Sequence, residues 1–165
     1  MLSKRLTFLA KLCLRYHQSG IPIYDIGCDH ALVGEYLLQH GENLEIIGVD
    51  RSRAAIERTE KYFKNKYAYI PSGVTYKNNV LKLIHHDASK FLTKKSLFLL
   101  AGMGTRTIIS IMENLLSQNT GNIFILSAHT EIDKLKQYLI KSQLEIVEET
   151  ILEDNGQSYE ILIVR

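Results

Sequence analysis

The sequence predicts an α/β fold: a doubly wound, mostly parallel sheet of seven strands, with a C-terminal antiparallel hairpin and an extra N-terminal helix. Three observations predict it. Short apolar runs alternate with segments of helical period, the signature of a sheet with helices on both faces. The runs are apolar throughout, as in strands buried on both sides. Near the C-terminus an Asn155-Gly156 pair separates two strand-like segments, a strong hairpin signal. The 165 residues suit one domain, 1–165.

Residues 2–18 carry apolar side chains at helical spacing (Leu2, Leu6, Leu9, Leu12, Cys13, Tyr16), with Gly20 and Pro22 as stop signals. Residues 21–26 read as the first buried strand and 31–40 as a helix stopped by Gly41. The second strand is 44–49, and Ser52 can cap a long helix over 53–67. Residues 68–79 read as irregular. Strands at 80–84 and 97–100 flank a short helix near 89–92. A helix over 105–116, a strand at 123–126 and a helix over 131–141 follow. Segments 144–152 and 158–164 form the hairpin.

The composition, 45% hydrophobic and 23% charged, is that of an ordinary globular chain. No apolar run approaches the ~20 residues of a membrane span. The charged residues scattered through 1–20 do not read as a signal peptide. Cys13 and Cys28 make neither a disulfide framework nor a metal motif, so no metal and a reducing, cytoplasmic setting are expected. Residues 1–24 hold four Lys/Arg and no acid; 145–164 hold six Asp/Glu and no Lys/Arg. That asymmetry fits either a polarised surface meeting nucleic acid or solvated faces of helices and strands.

In sheets of this kind ligands bind outside the carboxyl ends of the strands. The first such end reads Asp25-Ile26-Gly27-Cys28-Asp29-His30-Ala31. Gly27 allows a tight turn and close approach of a ligand. The dinucleotide fingerprint is absent, because its second and third glycines are missing. Asp25 and Asp29 would repel a pyrophosphate at the following helix N-terminus. They suit a ligand bearing an ammonium and a sulfonium instead, such as S-adenosylmethionine; alternatively, Asp29 only caps the helix. Asp50 ends the second strand roughly 20 residues on, where an acid accepts hydrogen bonds from ribose hydroxyls. Asp87, after His85 and His86, could face an adenine amino group. Either acid could instead be a helix cap, and the two histidines are assigned no role. The fourth end is Ala101-Gly102-Met103-Gly104 and the fifth Ser127-Ala128-His129.

Leu2-Ser3-Lys4-Arg5-Leu6, the Asp25 to Ala31 motif, Ala101-Gly102-Met103-Gly104 and Tyr159-Glu160-Ile161-Leu162 resemble, in order and spacing, the bacterial tRNA (adenine-22-N1)-methyltransferase family. The resemblance implies a class I methyltransferase (Rossmann-like) fold, S-adenosylmethionine as cofactor, and methyl transfer to N1 of an adenine in tRNA. It makes Asp29 the candidate catalytic residue. The candidate cofactor-binding set is Asp25, Gly27, Cys28, His30, Asp50, Arg51, Asp87, Ala88, Ala101, Gly102, Met103 and Gly104. Three features depart from the family pattern. Thr105-Arg106 replaces a glycine after Gly-Met-Gly, Ser127-Ala128-His129 replaces a Gln-Pro-Asn-like turn, and the chain ends without the family's C-terminal coiled coil.

RNA contacts are expected from Lys4, Arg5, Lys11 and Arg15 on the first helix. A second source is 51–77, where Arg51, Arg53, Arg58, Lys61, Lys64, Lys66 and Lys77 interleave with Tyr62, Tyr67, Tyr69 and Tyr76. Cys28 reads as a small packing residue. Other readings stay open: a methyltransferase with another substrate, a degenerate module binding the cofactor or RNA, or a nicotinamide enzyme.

Overall fold

The computed structural model describes residues 2–165. One nine-stranded sheet runs through it. The strands are β1 (Ile23–Ile26), β2 (Glu45–Asp50), β3 (Ala68–Ile70), β4 (Gly73–Tyr76), β5 (Asn79–His85), β6 (Leu97–Met103), β7 (Ile123–Ala128), β8 (Ile146–Asp154) and β9 (Gln157–Val164). Their order across the sheet is β3-β4-β5-β2-β1-β6-β7-β9-β8. The block β5-β2-β1-β6-β7 is parallel, whereas β9 and β8 add antiparallel at one edge. The order reverses direction at β1, so a crevice opens between the carboxyl ends of β1 and β6.

Side chains alternate across the parallel strands. Ile23, Leu97, Leu99, Ile123 and Ile125 enter one core with the helices α1 (Lys4–Tyr16), α2 (Leu32–His40) and α3 (Arg53–Lys66). Tyr24, Ile26, Phe98, Leu100, Phe124 and Leu126 enter the other with α4 (Thr105–Leu116) and α5 (Ile132–Lys141). Both faces are covered, which is why these strands read as unbroken apolar runs. Asp25 shares the phase of Ile23, so the strand carries its carboxyl to the α1 side.

The structure extends the sequence reading at the β5 edge. Residues 68–76, expected to be irregular, form the antiparallel hairpin β3-β4 on β5. Its strands are only three and four residues long, too short for a periodicity to show. The short helix expected near 89–92 is a single 3-10 turn, Ala88–Lys90. At the C-terminal hairpin Asn155 and Gly156 take φ of 51° and 76°, as a type I′ turn requires.

The charge asymmetry resolves within the fold. The basic helix α1 lies against the acidic β8. Lys4 Nζ donates to the Glu153 carbonyl, the Arg5 amide donates to Asp154 Oδ2 at 2.9 Å, and Arg15 pairs with Glu148. The basic start thus meets the acidic C-terminal hairpin, while Lys4, Lys11 and Arg15 stay exposed. Among the described residues no helix is long and apolar enough to cross a membrane.

Candidate functional site

At the end of β1 the chain turns sharply over β2. The amides of Gly27 and Cys28 both donate to the Val49 carbonyl, at 2.8 and 3.2 Å. Gly27 has φ of +74°, and a Cβ there would lie 3.0 Å from Met103 Cε. Asp29 and Ala31 also have positive φ, 44° and 48°. Three left-handed residues within five positions bring the turn back into α2. Strain of this kind persists where the surroundings impose it, and it gathers at functional sites.

Asp50 locks the turn. Its Oδ2 accepts from the Asp29 amide at 2.9 Å and its Oδ1 from the Ser52 amide at 2.8 Å. The cap of α3 is Ser52, whose Oγ accepts from Ala55. Asp50 is thus a brace between two loops, and each of its oxygens keeps a lone pair for another donor. On the next strand Gly102, at φ +78°, sits where the β6-β7 register shifts between Ala101 and Met103. This bulge turns the end of β6 toward the Gly27 loop.

Two cavities meet at Gly102. The larger, of about 650 Å³, lies on the α4 side. Gly27, Asp50, Arg51, Asp87, Ala88, Gly102, Met103 and Gly104 line it. His86, Arg106, Thr107 and Ser110 do so as well, although the sequence reading gave them no role there. The smaller, of about 160 Å³, lies on the α1 side. It takes Asp25, Cys28, Asp29, His30 and Ala101, together with Arg5. The candidate cofactor-binding residues and Asp29 thus line these two cavities, whereas Ala128 and His129 of the fifth strand end line a separate one.

The acids of the crevice differ in their surroundings. Asp25 is buried, and desolvation pushes its pKa up to about 7, against the pull of an amide hydrogen bond from Gly34. The nearby Asp50 charge pushes it up further. Asp29 is mostly exposed, and its Oδ2 lies 3.5 Å from His30 Nε2. It does not cap α2: the N-cap position is Ala31, and no side chain bonds there. Asp87 does act as a cap. Its Oδ1 accepts from both the hydroxyl and amide of Ser89, which hold the carboxyl below its usual range, and Oδ2 has no partner among the described residues. Cys28 is a buried thiol whose pKa is raised by desolvation. It seats against Gly48, where an added Cβ would lie 3.0 Å from Sγ. Among the described residues no group of three His, Cys, Asp or Glu side chains could hold a metal ion.

A hydrogen-bonding carboxylate beside a glycine turn, with a roomy cavity on one side and acids on the other, fits a nucleoside carrying a cationic tail. Arg51 and Arg106 offset Asp50 and Asp87 in the larger cavity, leaving it nearly neutral. A neutral adenosine fits there without repulsion.

Residues 2–162 match the family model described as a methyltransferase domain. The chain is 27% identical over 99% of its length to a protein of Mycoplasma genitalium proposed to be a tRNA methyltransferase, covering 69% of it. It is 29% identical to the Bacillus subtilis tRNA (adenine(22)-N(1))-methyltransferase, over 98% of this chain and 64% of that one. A Streptococcus pneumoniae protein, proposed to be a tRNA (m1A22) methyltransferase and solved in complex with S-adenosyl-L-methionine, superposes with a TM-score of 0.78. It is 28% identical, and the match covers all of this chain and 73% of that one.

Proposed function

The chain belongs to the methyltransferase domain family, among the relatives of the tRNA (adenine-22-N1)-methyltransferases, and from that premise we propose that it transfers a methyl group from S-adenosylmethionine to N1 of an adenine in tRNA. One observation carries the cofactor half of this reading. Asp50 is held by the amides of Asp29 and Ser52 at the edge of the larger cavity, with a lone pair free on each oxygen. Two vicinal ribose hydroxyls match that pair of acceptors. The unpartnered Oδ2 of Asp87 suits the amino group of the cofactor's adenine. Gly27 and Gly102 leave room between the cavities for the sulfonium.

S-adenosylmethionine supplies an electrophilic methyl group on a positively charged sulfur. N1 of neutral adenine already has a lone pair, so no base is needed before attack. The S–CH₃ bond breaks as the N1–CH₃ bond forms, and the positive charge passes from sulfur to the base. Asp29, an exposed carboxylate on the turn after β1, would accept a hydrogen bond from the exocyclic amino group. That contact raises the electron density at N1 and stabilises the cationic product. The remaining contribution is alignment. A target base in a paired region must leave its stack to reach the mouth.

The RNA half of the reading rests on α3 and the β3-β4 hairpin. Arg53, Arg58 and Lys61 are exposed there, and Tyr62, Tyr69 and Tyr76 expose much of their rings. Such a surface can take phosphates and stack bases.

Incubation with methyl-labelled cofactor and total tRNA, followed by nucleoside analysis, tests the proposal. Label in N1-methyladenosine is the expected result. Label in a different nucleoside makes the chain a methyltransferase of another substrate. Cofactor binding without label in any RNA makes it a binding module whose fifth strand end, Ser127-Ala128-His129, no longer supports transfer.

A further inference from the structure

Another cavity, of about 260 Å³, lies between α3 and the β3-β4 hairpin, apart from the crevice. Its floor is apolar: Phe63 of α3, Val74 of β4, and Leu81 and Leu83 of β5. The first three are buried and Leu83 is half-buried. The Pro71-Ser72-Gly73 turn closes one side. Gly73 has φ of +140°, and a Cβ there would collide with the Leu81 carbonyl, so the turn sits hard against β5. On the rim Tyr69 is 57% exposed, and Lys64 Nζ lies 4.7 Å over its ring.

The backbone of the floor is open as well. β4 pairs with β5 no further than Leu81, whereas β5 runs on to His85. From Leu83 on, that edge of the sheet has no partner strand. The amides of Val80 and His86 donate toward β2, to the carbonyls of Leu44 and Asp50. Peptide groups alternate in direction along a strand, so Leu83 presents its N–H and C=O to the open edge. Cations stand at the mouth. Lys61 and Lys64 are three residues apart on α3 and share a face, and Lys61 is exposed.

An apolar slot with one aromatic wall, a donor and acceptor on a strand edge, and cations at the mouth define a complementary ligand. It is a flat polar-edged ring tied to an anion. A phosphate alone meets an apolar floor. An aliphatic side chain leaves the strand edge unmet. An unpaired nucleobase with its phosphate meets every part. A cation over an exposed ring is held more weakly than a stacked base, so Lys64 can leave Tyr69 for the phosphate.

We propose that this cavity receives an unpaired base of the RNA substrate, separate from the base that is methylated. The ring stacks on Tyr69, its edge bonds Leu83 of β5, and Lys61 and Lys64 take its phosphate. The proposal rests on the reading of the substrate as RNA, and it gives that RNA an anchor point outside the crevice.

Titration of the chain with fluorescently labelled total tRNA at several salt concentrations tests it, with S-adenosylhomocysteine calorimetry as a control. Tyr69→Leu keeps apolar bulk and removes the ring. It should weaken tRNA binding by about 5–100-fold, the worth of one stacked base. The slope of log affinity against log salt should not change, because stacking releases no counterion. Tyr69→Phe keeps the ring and should bind like wild type. Lys61→Gln and Lys64→Gln should each flatten the slope by about 0.7, the share of one phosphate contact on a single strand. S-adenosylhomocysteine affinity should stay at the wild-type value throughout. The lysine variants decide the matter if Tyr69→Leu does not fold: an unchanged slope in both overturns the proposal. A Tyr69→Leu protein that binds tRNA like wild type also overturns it and leaves the open β5 edge to a protein strand. A Tyr69→Phe protein as weak as Tyr69→Leu overturns it too. A wild-type chain that binds S-adenosylhomocysteine and no tRNA overturns the RNA reading together with this one.

Discussion

The two halves of the crevice are built on opposite principles. The larger combines backbone turns and short polar side chains, Gly27, Gly102, Gly104, Thr107 and Ser110, with the apolar Ile26, Val49 and Ile111 and with opposite charges that cancel. The smaller has apolar walls, the unpartnered guanidinium of Arg5 and a carboxyl whose pKa burial raises. In the first, hydrogen bonds compete with water and each is worth little. In the second, low dielectric makes a fulfilled charge valuable and an unfulfilled one costly. The first suits a neutral nucleoside and the second a zwitterion. The cofactor offers both, joined at the sulfur.

The sharpest way to break this comparison is at the exposed acid on the turn after β1. Asp29→Asn should cut the methylation rate by about 10²–10³-fold, the usual cost of one preorganised electrostatic contact. Cofactor affinity and melting temperature should stay near wild type, because the Asp29 carboxylate is exposed and caps no helix. A parallel loss of cofactor affinity in calorimetry would move Asp29 into the smaller half. Gly27→Val attacks both halves at once. A branched residue at φ +74° with a Cβ 3.0 Å from Met103 strains the shared turn. Denaturant unfolding should show a loss of about 1–3 kcal/mol. Both S-adenosylhomocysteine and 5′-methylthioadenosine, which keeps the nucleoside and lacks the amino-acid group, should bind more weakly.

Asp50→Ala gives a smaller effect with a different pattern. It removes the acceptors offered to the ribose, which both ligands share. Both affinities should drop together, by about tenfold. A selective loss for S-adenosylhomocysteine would place Asp50 in the wrong half.

The sequence made the first half more legible than the second. Gly27, Asp50, Asp87 and the Gly-Met-Gly turn stand at strand ends, and strand ends follow from runs such as 44–49 and 97–100. Asp29 and Asp25 were equally visible, but not their difference. One is exposed and the other buried because successive positions on β1 and its turn face different surroundings. Arg5 was visible only as one of four basic residues on a helix, and counted with them as a surface charge. What separates it is the tertiary contact with Tyr159, more than 150 residues away. The basic start and acidic end were read from composition, but their mutual contact depends on β8 lying beside α1. The β3-β4 hairpin was hidden for another reason: strands this short carry no period, and their pairing partner, β5, sets them.

The last expected effect depends on pH. The Asp25 carboxyl keeps its proton in the free protein up to about pH 7, whereas an unfolded aspartate loses it near pH ~4. The native state therefore holds more protons than the unfolded chain between those values. Stability should fall as pH rises through that window and level off above it. Binding runs the other way. An α-ammonium beside Asp25 favours the carboxylate, so binding below the folded pKa releases a proton. S-adenosylhomocysteine affinity should rise as pH climbs from about 6 to 8, by no more than roughly tenfold per unit, and flatten once Asp25 is ionised. 5′-Methylthioadenosine, with no ammonium to place, should show no such rise. Calorimetry in buffers of different ionisation enthalpy counts the released proton directly. Asp25→Asn should abolish both the release and the slope, because the amide keeps the size and cannot titrate. A slope shared by the two ligands would mean that the titrating group acts on the nucleoside half, and the division of the crevice at Gly102 would fall with it.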